Sequence, residues 1–414
     1  MHRAYKFRLY PTSVQQIALA KSFGCCRWYW NYSLNLCGET YKLSGKSLSR
    51  GAIQGLLPNL KKEYEWLSEA YSQCLQYVAL NLSTAYKNFF EKRAGFPQFK
   101  SKHGRQSISY PSNVKLDDDY IKLPGKVGKI YCKQERKFDG QIKTVTISQN
   151  PDGKYFASVL VDDGKETPLA SSSGKVIGID LGLTHFCITS DGSKFNNPRH
   201  TQKHALNLKK KQQSLARKQK GSNTRNKAKK LVAKIHSKVR KVREDFLHKL
   251  SRKIVNENQV IAVENLNVSL GKVYGRHSLP RTFRKGMVRN HNLAEAISDC
   301  GWGQFCTMLK YKSEWDGKTY IEVDRFFASS RTCNVCLSKE VDSLALDIRC
   351  WICKKCKTHH DRDINAAINI RNEALRILSL GTSDTANGGN VSQPGKTSVL
   401  LDAVPREVGN PIPL

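Results

Sequence analysis

The sequence predicts an α/β chain of two modules: a helical and antiparallel-β first half, then an α/β second half with a cysteine-rich insertion. Three observations carry this. Short runs that alternate apolar and polar residues cluster between Phe96 and Asp163. Later strands are apolar on both faces, and two of them, "VIGI" and "VIAV", end directly in an acid. Two Cys-x2-Cys pairs stand in the last quarter of the chain. At 414 residues the chain exceeds one typical domain, so two or three modules are expected.

The opening "YKFRLY" alternates like a strand until Pro11 breaks it. Thr12 or Ser13 fits an N-cap, and Ile17, Leu19, Ala20 and Phe23 give an amphipathic helix that Gly24 is expected to stop. Further helices are expected across Arg27 to Leu36 and Ser72 to Arg93, where Leu75, Val78, Leu82, Ala85 and Phe89 share one face. From Phe96 the runs "SISY", "IKLP", "KIYCK", "KTVTISQ" and "KYFASVLVD" read as a small antiparallel sheet or barrel, with "NPDGK" as a hairpin turn.

A Ser-Gly linker, "SSSG", leads into "KVIGIDLGLTHFCITSDGSKF", two strands joined by a short turn. Lys203 to Arg243 is a helical stretch, "NQVIAVENLNV" a third strand, Arg276 to Arg289 basic and flexible, and Ala294 to Tyr311 helical. "KTYIEVDRFFASSRT" is a strand leading into the cysteines, and the polar, Gly-rich segment after Leu380 is expected to be disordered.

Charge narrows the function. Sixty-nine Lys+Arg face 35 Asp+Glu, a formal net charge of +34, and such an imbalance implies a polyanionic partner. Nucleic acid is the leading partner, an anionic membrane surface the rival. No apolar run is long enough to span a membrane and no secretory signal is visible, so a soluble cytosolic protein is expected. Lys203 to Arg243 holds many cations and no acid; a merely solvated helix face mixes signs, so this stretch is expected to touch phosphate.

The thirteen cysteines are odd in number and irregular outside one cluster, which excludes a secreted disulfide framework. Cys25, Cys26, Cys74 and Cys187 lie among apolar residues as small buried side chains in a reducing compartment. Cys333 with Cys336, and Cys353 with Cys356 after a sixteen-residue gap, can complete an all-thiolate tetrahedron around Zn²⁺. Cys350 is also spaced for a knuckle with Cys353. It alternates with Ile348 and Ile352, however, and is expected to face a core instead. A four-thiolate shell leaves no open position, so this zinc would be structural. His359 and His360 are then expected to face solvent or bond backbone.

Asp180 and Glu264 each close an apolar run, and Asp361 and Asp363 precede "INAAINI". Singly, each has a plain account as a strand-end or N-cap residue. Gathered in one place, carboxylates need divalent cations to neutralise them, and hard oxygen ligands suit Mg²⁺ or Mn²⁺. Two such ions about 4 Å apart can drive hydrolysis of a phosphodiester. Asp361 and Asp363 would point about 200° apart on one helix and cannot serve the same ions. Asp363 has the positive helix end to keep it ionised.

"GIDLGLTHF", "AVENLNV", "SSRTCNVC" to "CKKC", and "DRDINAAINI", in that order, closely resemble the TnpB proteins of bacterial and archaeal insertion sequences, as does the opening "YKFRLYP" with "FGCCRWYWNYSL". The resemblance implies an RNase H-like fold of the RuvC type over 175–380, with a basic helical insertion at about 203–255 and a zinc ribbon at about 329–360. It implies an N-terminal small β-barrel in residues 1–170 (about 1–12 and 96–168), interrupted by a helical bundle at about 13–95, and leaves 381–414 as a tail.

The same resemblance implies a Mg²⁺-dependent, RNA-guided DNA endonuclease. Its catalytic acids fall on Asp180, Glu264 and Asp363 and its zinc ligands on Cys333, Cys336, Cys353 and Cys356. Its partners are a guide RNA from the transposon end and target double-stranded DNA, in a monomer at the bacterial or archaeal nucleoid. Gln76, Arg27, Lys209, Lys210, Lys211 and Arg217 are candidate nucleic-acid contacts. Relatives often carry Gly after each knuckle's second cysteine, where this chain has Leu337 and Lys357. A non-cutting RNA-guided DNA-binding repressor is the competing reading, and a strand-joining transposase a third.

Overall fold

A computed structural model of the chain describes residues 1–265, 291–324, 326–339 and 348–386. The basic stretch Arg276 to Arg289 and most of the expected tail lie outside the described residues. One compact unit is built on Met1–Glu166 and Gln219–Lys234, the other on Thr167–Lys218 and the described residues from Ile235 onward.

The first unit opens with β1 (His2–Tyr10) and α1 (Ser13–Ser44). Thr12 caps α1 in a reciprocal box: its hydroxyl accepts from the Gln15 N–H at 3.3 Å, and the Gln15 side chain accepts from the Thr12 N–H at 3.0 Å. Gly24 does not stop this helix. Leu19, Phe23, Cys26, Trp30, Leu34 and Cys37 form one buried stripe across it, and that burial outweighs the roughly 1 kcal/mol a mid-helix glycine costs. The stop is Gly45, at φ 67°.

Three helices follow, α2 (Arg50–Gly55), α3 (Leu57–Glu63) and α4 (Ser72–Phe90). Then come β2 (Gln106–Tyr110), β3 (Lys115–Asp117), β4 (Tyr120–Leu123), β5 (Gly128–Lys133), β6 (Gln141–Gln149) and β7 (Tyr155–Asp162). The antiparallel order is β2-β6-β7-β1-β5-β4-β3, with the chain's first strand in the middle. Among the described residues no ladder joins the end strands β2 and β3, so the expected barrel is present as a seven-stranded sheet with two ends. One core joins its inner face, including Leu9, Ile130 and Val159, to helix residues such as Tyr29, Leu75 and Leu82. Cys25, Cys26 and Cys74 are buried in it.

The second unit holds β8 (Val176–Leu181), β9 (His185–Thr189), β10 (Lys194–Asn196) and α5 (His200–Ala216). Helix α6 (Asn223–Glu257) runs into it and delivers β11 (Val260–Glu264). There follow α7 (His291–Cys300), α8 (Trp302–Trp315), β12 (Thr319–Val323), β13 (Cys350–Ile352), β14 (His359–Asp361) and α9 (Arg362–Ala386). Helix α9 extends past residue 380, where the tail was expected to begin.

Its five-stranded sheet has the order β10-β9-β8-β11-β12. Strands β8, β9 and β10 are antiparallel, and β11 runs parallel to both β8 and β12. A parallel return needs a long crossover, which the helices between β10 and β11 supply. Helix α9 lies directly on β8: a Cβ at Gly178 would sit 2.6 Å from the Arg371 nitrogen and closer still to the Ala367 carbonyl oxygen. Only glycine allows that approach. Among the described residues no helix is long and apolar enough to cross a membrane.

Candidate functional site

Strand register places the first two acids together. The ladder between β11 and β8 ends at the pair Val263 and Ile179, and the next residue on each strand is an acid, Glu264 and Asp180. Asp363 enters from the first turn of α9, the helix seated on Gly178. Burial, then the charges of Glu264 and Asp363, push the Asp180 carboxyl up to about 7, while Arg362 and Arg349 pull the other way. Burial also raises Glu264. Arg349 Nη1 lies 3.4 Å from Asp363 Oδ1.

Asp361 is the cap of α9, accepting from the N–H groups of Asp363 and Ile364 at 3.0 and 3.1 Å. Its other oxygen pairs with Lys194 at 2.6 Å. The two aspartates thus have separate partners.

The cysteines form a tighter group. One sulfur each from Cys333, Cys336, Cys353 and Cys356 lies within 4.8 Å of all the others, the only such group of three or more metal-type ligand atoms among the described residues. The two knuckles repeat one backbone pattern. Leu337 N–H donates to the Cys333 carbonyl and Lys357 N–H to the Cys353 carbonyl, both at 2.9 Å. Each donor has a φ of 60°, the left-handed conformation that glycine adopts without strain. The arrangement is compatible with a structural zinc ion held by four thiolates.

Two expectations fail at this cluster. Cys350 does not face a core: β13 and β14 form a two-stranded ribbon with one covered side, and Trp351 takes it, leaving Cys350 and Ile352 exposed. His360 is neither solvent-facing nor bonded to backbone. It is buried against Trp351, ring centroids 4.5 Å apart, with Nε2 3.1 Å from Cys333 Sγ.

Sequence reasoning missed what ties the cysteines to the acids. The Asn365 and Asn369 side chains, one turn apart on α9, both donate to the carbonyls of Ser329 and Thr332, beside the first knuckle. Asn365 Oδ1 also accepts from the Asn334 N–H at 3.0 Å. Two amides within "INAAINI", otherwise an apolar run, were the available signal.

The candidate nucleic-acid contacts are scattered. Lys209, Lys210 and Lys211 are exposed on α5 and Arg217 is exposed at its end. Gln76 is exposed on α4, whereas Arg27 is half-buried and donates to Gln106 Oε1 at 3.0 Å.

Three family models match the chain: "Helix-turn-helix domain" over residues 1–46, "Probable transposase" over 158–272 and "Cas12f1-like, TNB domain" over 302–370. A Streptomyces pristinaespiralis protein provisionally named an RNA-guided DNA endonuclease is 34% identical, covering 99% of this chain and 98% of its own. InsQ of Escherichia coli K12, provisionally named the same way, is 31% identical over 92% and 94% of the two chains. The fold is similar to that of Cas12f1 in its complex with single-guide RNA and target DNA, with a TM-score of 0.53 at 13% identity over 90% and 99% of the two chains. On identity that spans nearly the whole of both sequences, the chain belongs to the TnpB family.

Proposed function

We propose that the chain is an RNA-guided, Mg²⁺-dependent DNA endonuclease of an insertion sequence, with Asp180, Glu264 and Asp363 as its catalytic acids. The observation that carries this reading is the convergence of these acids from β8, β11 and α9, with the half-buried Asp180 pushed up to about 7 in a chain of net charge +34. A carboxyl raised by desolvation and then by two neighbouring carboxylates marks a place short of positive charge, and three hard oxygen donors suit Mg²⁺ or Mn²⁺. The order β10-β9-β8-β11-β12 supports an RNase H-like, RuvC-type reading of this unit.

A bound pair of such ions would supply an activated water and stabilise the departing phosphodiester oxygen. The chain's own residues fix where that happens. Parallel pairing of β8 and β11 up to Ile179 and Val263 sets two acids at the next position of each strand, and the first turn of α9 carries the third. Cys333, Cys336, Cys353 and Cys356 would hold a structural zinc, with no open position for chemistry.

Guide RNA from the transposon end would lie on basic surfaces that include Lys209, Lys210, Lys211 and Arg217. Gln76 and Arg27 would contact target double-stranded DNA beside a short motif, and one copy of the chain would act alone. The test is the Asp180→Ala variant with the RNA that copurifies with the protein. Mg²⁺-dependent cleavage of matched DNA should vanish while RNA binding persists, and cleavage retained in that variant would overturn the proposal.

A further inference from the structure

The outward face of β1, β5 and β4 carries three tyrosines in a row. Tyr10 is opposite Tyr131, and Tyr131 is opposite Tyr120. Ring centroids are 5.6 Å apart at both steps. The same strands bury Leu9, Ile130, Cys132 and Ile121 on the inner face, so the row points outward, with Tyr10 50%, Tyr131 42% and Tyr120 40% exposed.

Cations border the row on both sides. Arg8 lies opposite Lys133 along one side, and Lys122 lies opposite Lys129 along the other. The Arg8 guanidinium sits 5.3 Å from the Tyr10 ring centre and Lys129 Nζ 4.6 Å from that of Tyr120. Asp117, opposite Tyr120 on β3, is 3.3 Å from Lys129 and Glu135 is 3.8 Å from Lys133, but exposed pairs of this kind contribute little. Cross-strand aromatic pairs do stabilise sheets. Sheet stability alone gives no reason for three large rings to stay 40 to 50% exposed between two rows of cations.

We propose that this face is a stacking platform for unpaired RNA bases, with Tyr131 at its centre and Arg8, Lys122, Lys129 and Lys133 tracking the phosphates. Aromatic rings interleaved with cations are the chemistry that holds single-stranded nucleic acid, because every base has a π-face and every nucleotide a charge. RNA is the occupant favoured over DNA. A folded RNA presents unpaired bases in its loops at all times, whereas duplex DNA keeps its bases stacked until it is opened. The inference rests on the guided reading above and adds a site to it.

The test uses the full-length chain, freed of copurified RNA at high salt, and fluorescence anisotropy with a labelled short oligoadenylate RNA across a salt series. Tyr131→Ala should weaken binding about 5- to 150-fold, the range for loss of one stacked base. The salt slope should not change, because no phosphate contact is removed. Tyr131→Phe keeps the ring and should bind like the parent. Affinity unchanged in Tyr131→Ala would overturn the platform, as would an equal loss on duplex RNA or on oligodeoxyadenylate. Failure of the unsubstituted chain to bind any RNA would instead overturn the guided reading itself.

Discussion

The thiol cluster and the acidic trio of the second unit share one short segment, which gives Cys353 and Cys356 to the first and Asp363 to the second, yet they are assembled differently. Four sulfurs are gathered within 4.8 Å by two local turns of the same design. Three carboxylates come from two strands and a helix that are distant in sequence, and they are near enough to raise Asp180 without closing to that distance. Each further carboxylate charge opposes the last, which keeps the acids apart until cations enter. One site is therefore set by local backbone and the other by tertiary packing, with its remaining separation left to the cations that would fill it.

The sharpest way to break that contrast is to remove a thiolate. Cys356→Ser should lower zinc content, read by elemental analysis, and melting temperature together, since for structural zinc sites metal binding on the order of 10 kcal/mol is also folding free energy. Cys350→Ser should leave zinc content unchanged. Zinc retained by Cys356→Ser would place the ion elsewhere.

The next effect belongs to the acids and depends on pH. Asp180 titrates near 7 in the folded chain against an ordinary value of 3.8. Without metal, the folded state holds a proton that the unfolded state releases between those values. Stability from this group is therefore full below about pH 4 and lost as pH rises through 7, a change of about 4 kcal/mol. Asp180→Asn should flatten that slope in urea unfolding of the metal-free chain. A slope that survives the substitution would assign it to another group.

The smallest effect sharpens the account of the knuckles. Leu337→Gly and Lys357→Gly each relieve a non-glycine residue at φ 60° and should raise zinc-loaded stability by about 1 kcal/mol. A lower melting temperature would mean that the side chains contribute more than the strain removes.

Local pattern was legible where local physics decides. The Thr12 cap, the period-2 strands and the apolar runs that end at Asp180 and Glu264 are all readable from neighbours in sequence. Gly24 misled because a helix end was judged from one residue, while the buried stripe continued on both sides of it. Cys350 is expected on one face with Ile348 and Ile352, and within the strand Cys350 and Ile352 do share a face. Which face a ribbon covers depends on what it packs against, and Trp351 faces the cysteines. Gly178, His360 and the Asn365–Asn369 pair owe their roles to partners distant in sequence, so the chain order alone could not disclose them.

Those two asparagines have a mechanical consequence. Four hydrogen bonds from their side-chain amides to the same two carbonyls resist both sliding of α9 along its axis and turning about it. The helix is keyed to the knuckle loop as a shaft is keyed to a hub, and Asp363 lies half a turn from the key. An ion that only folds the ribbon would then also set the azimuth at which that carboxylate meets Asp180 and Glu264.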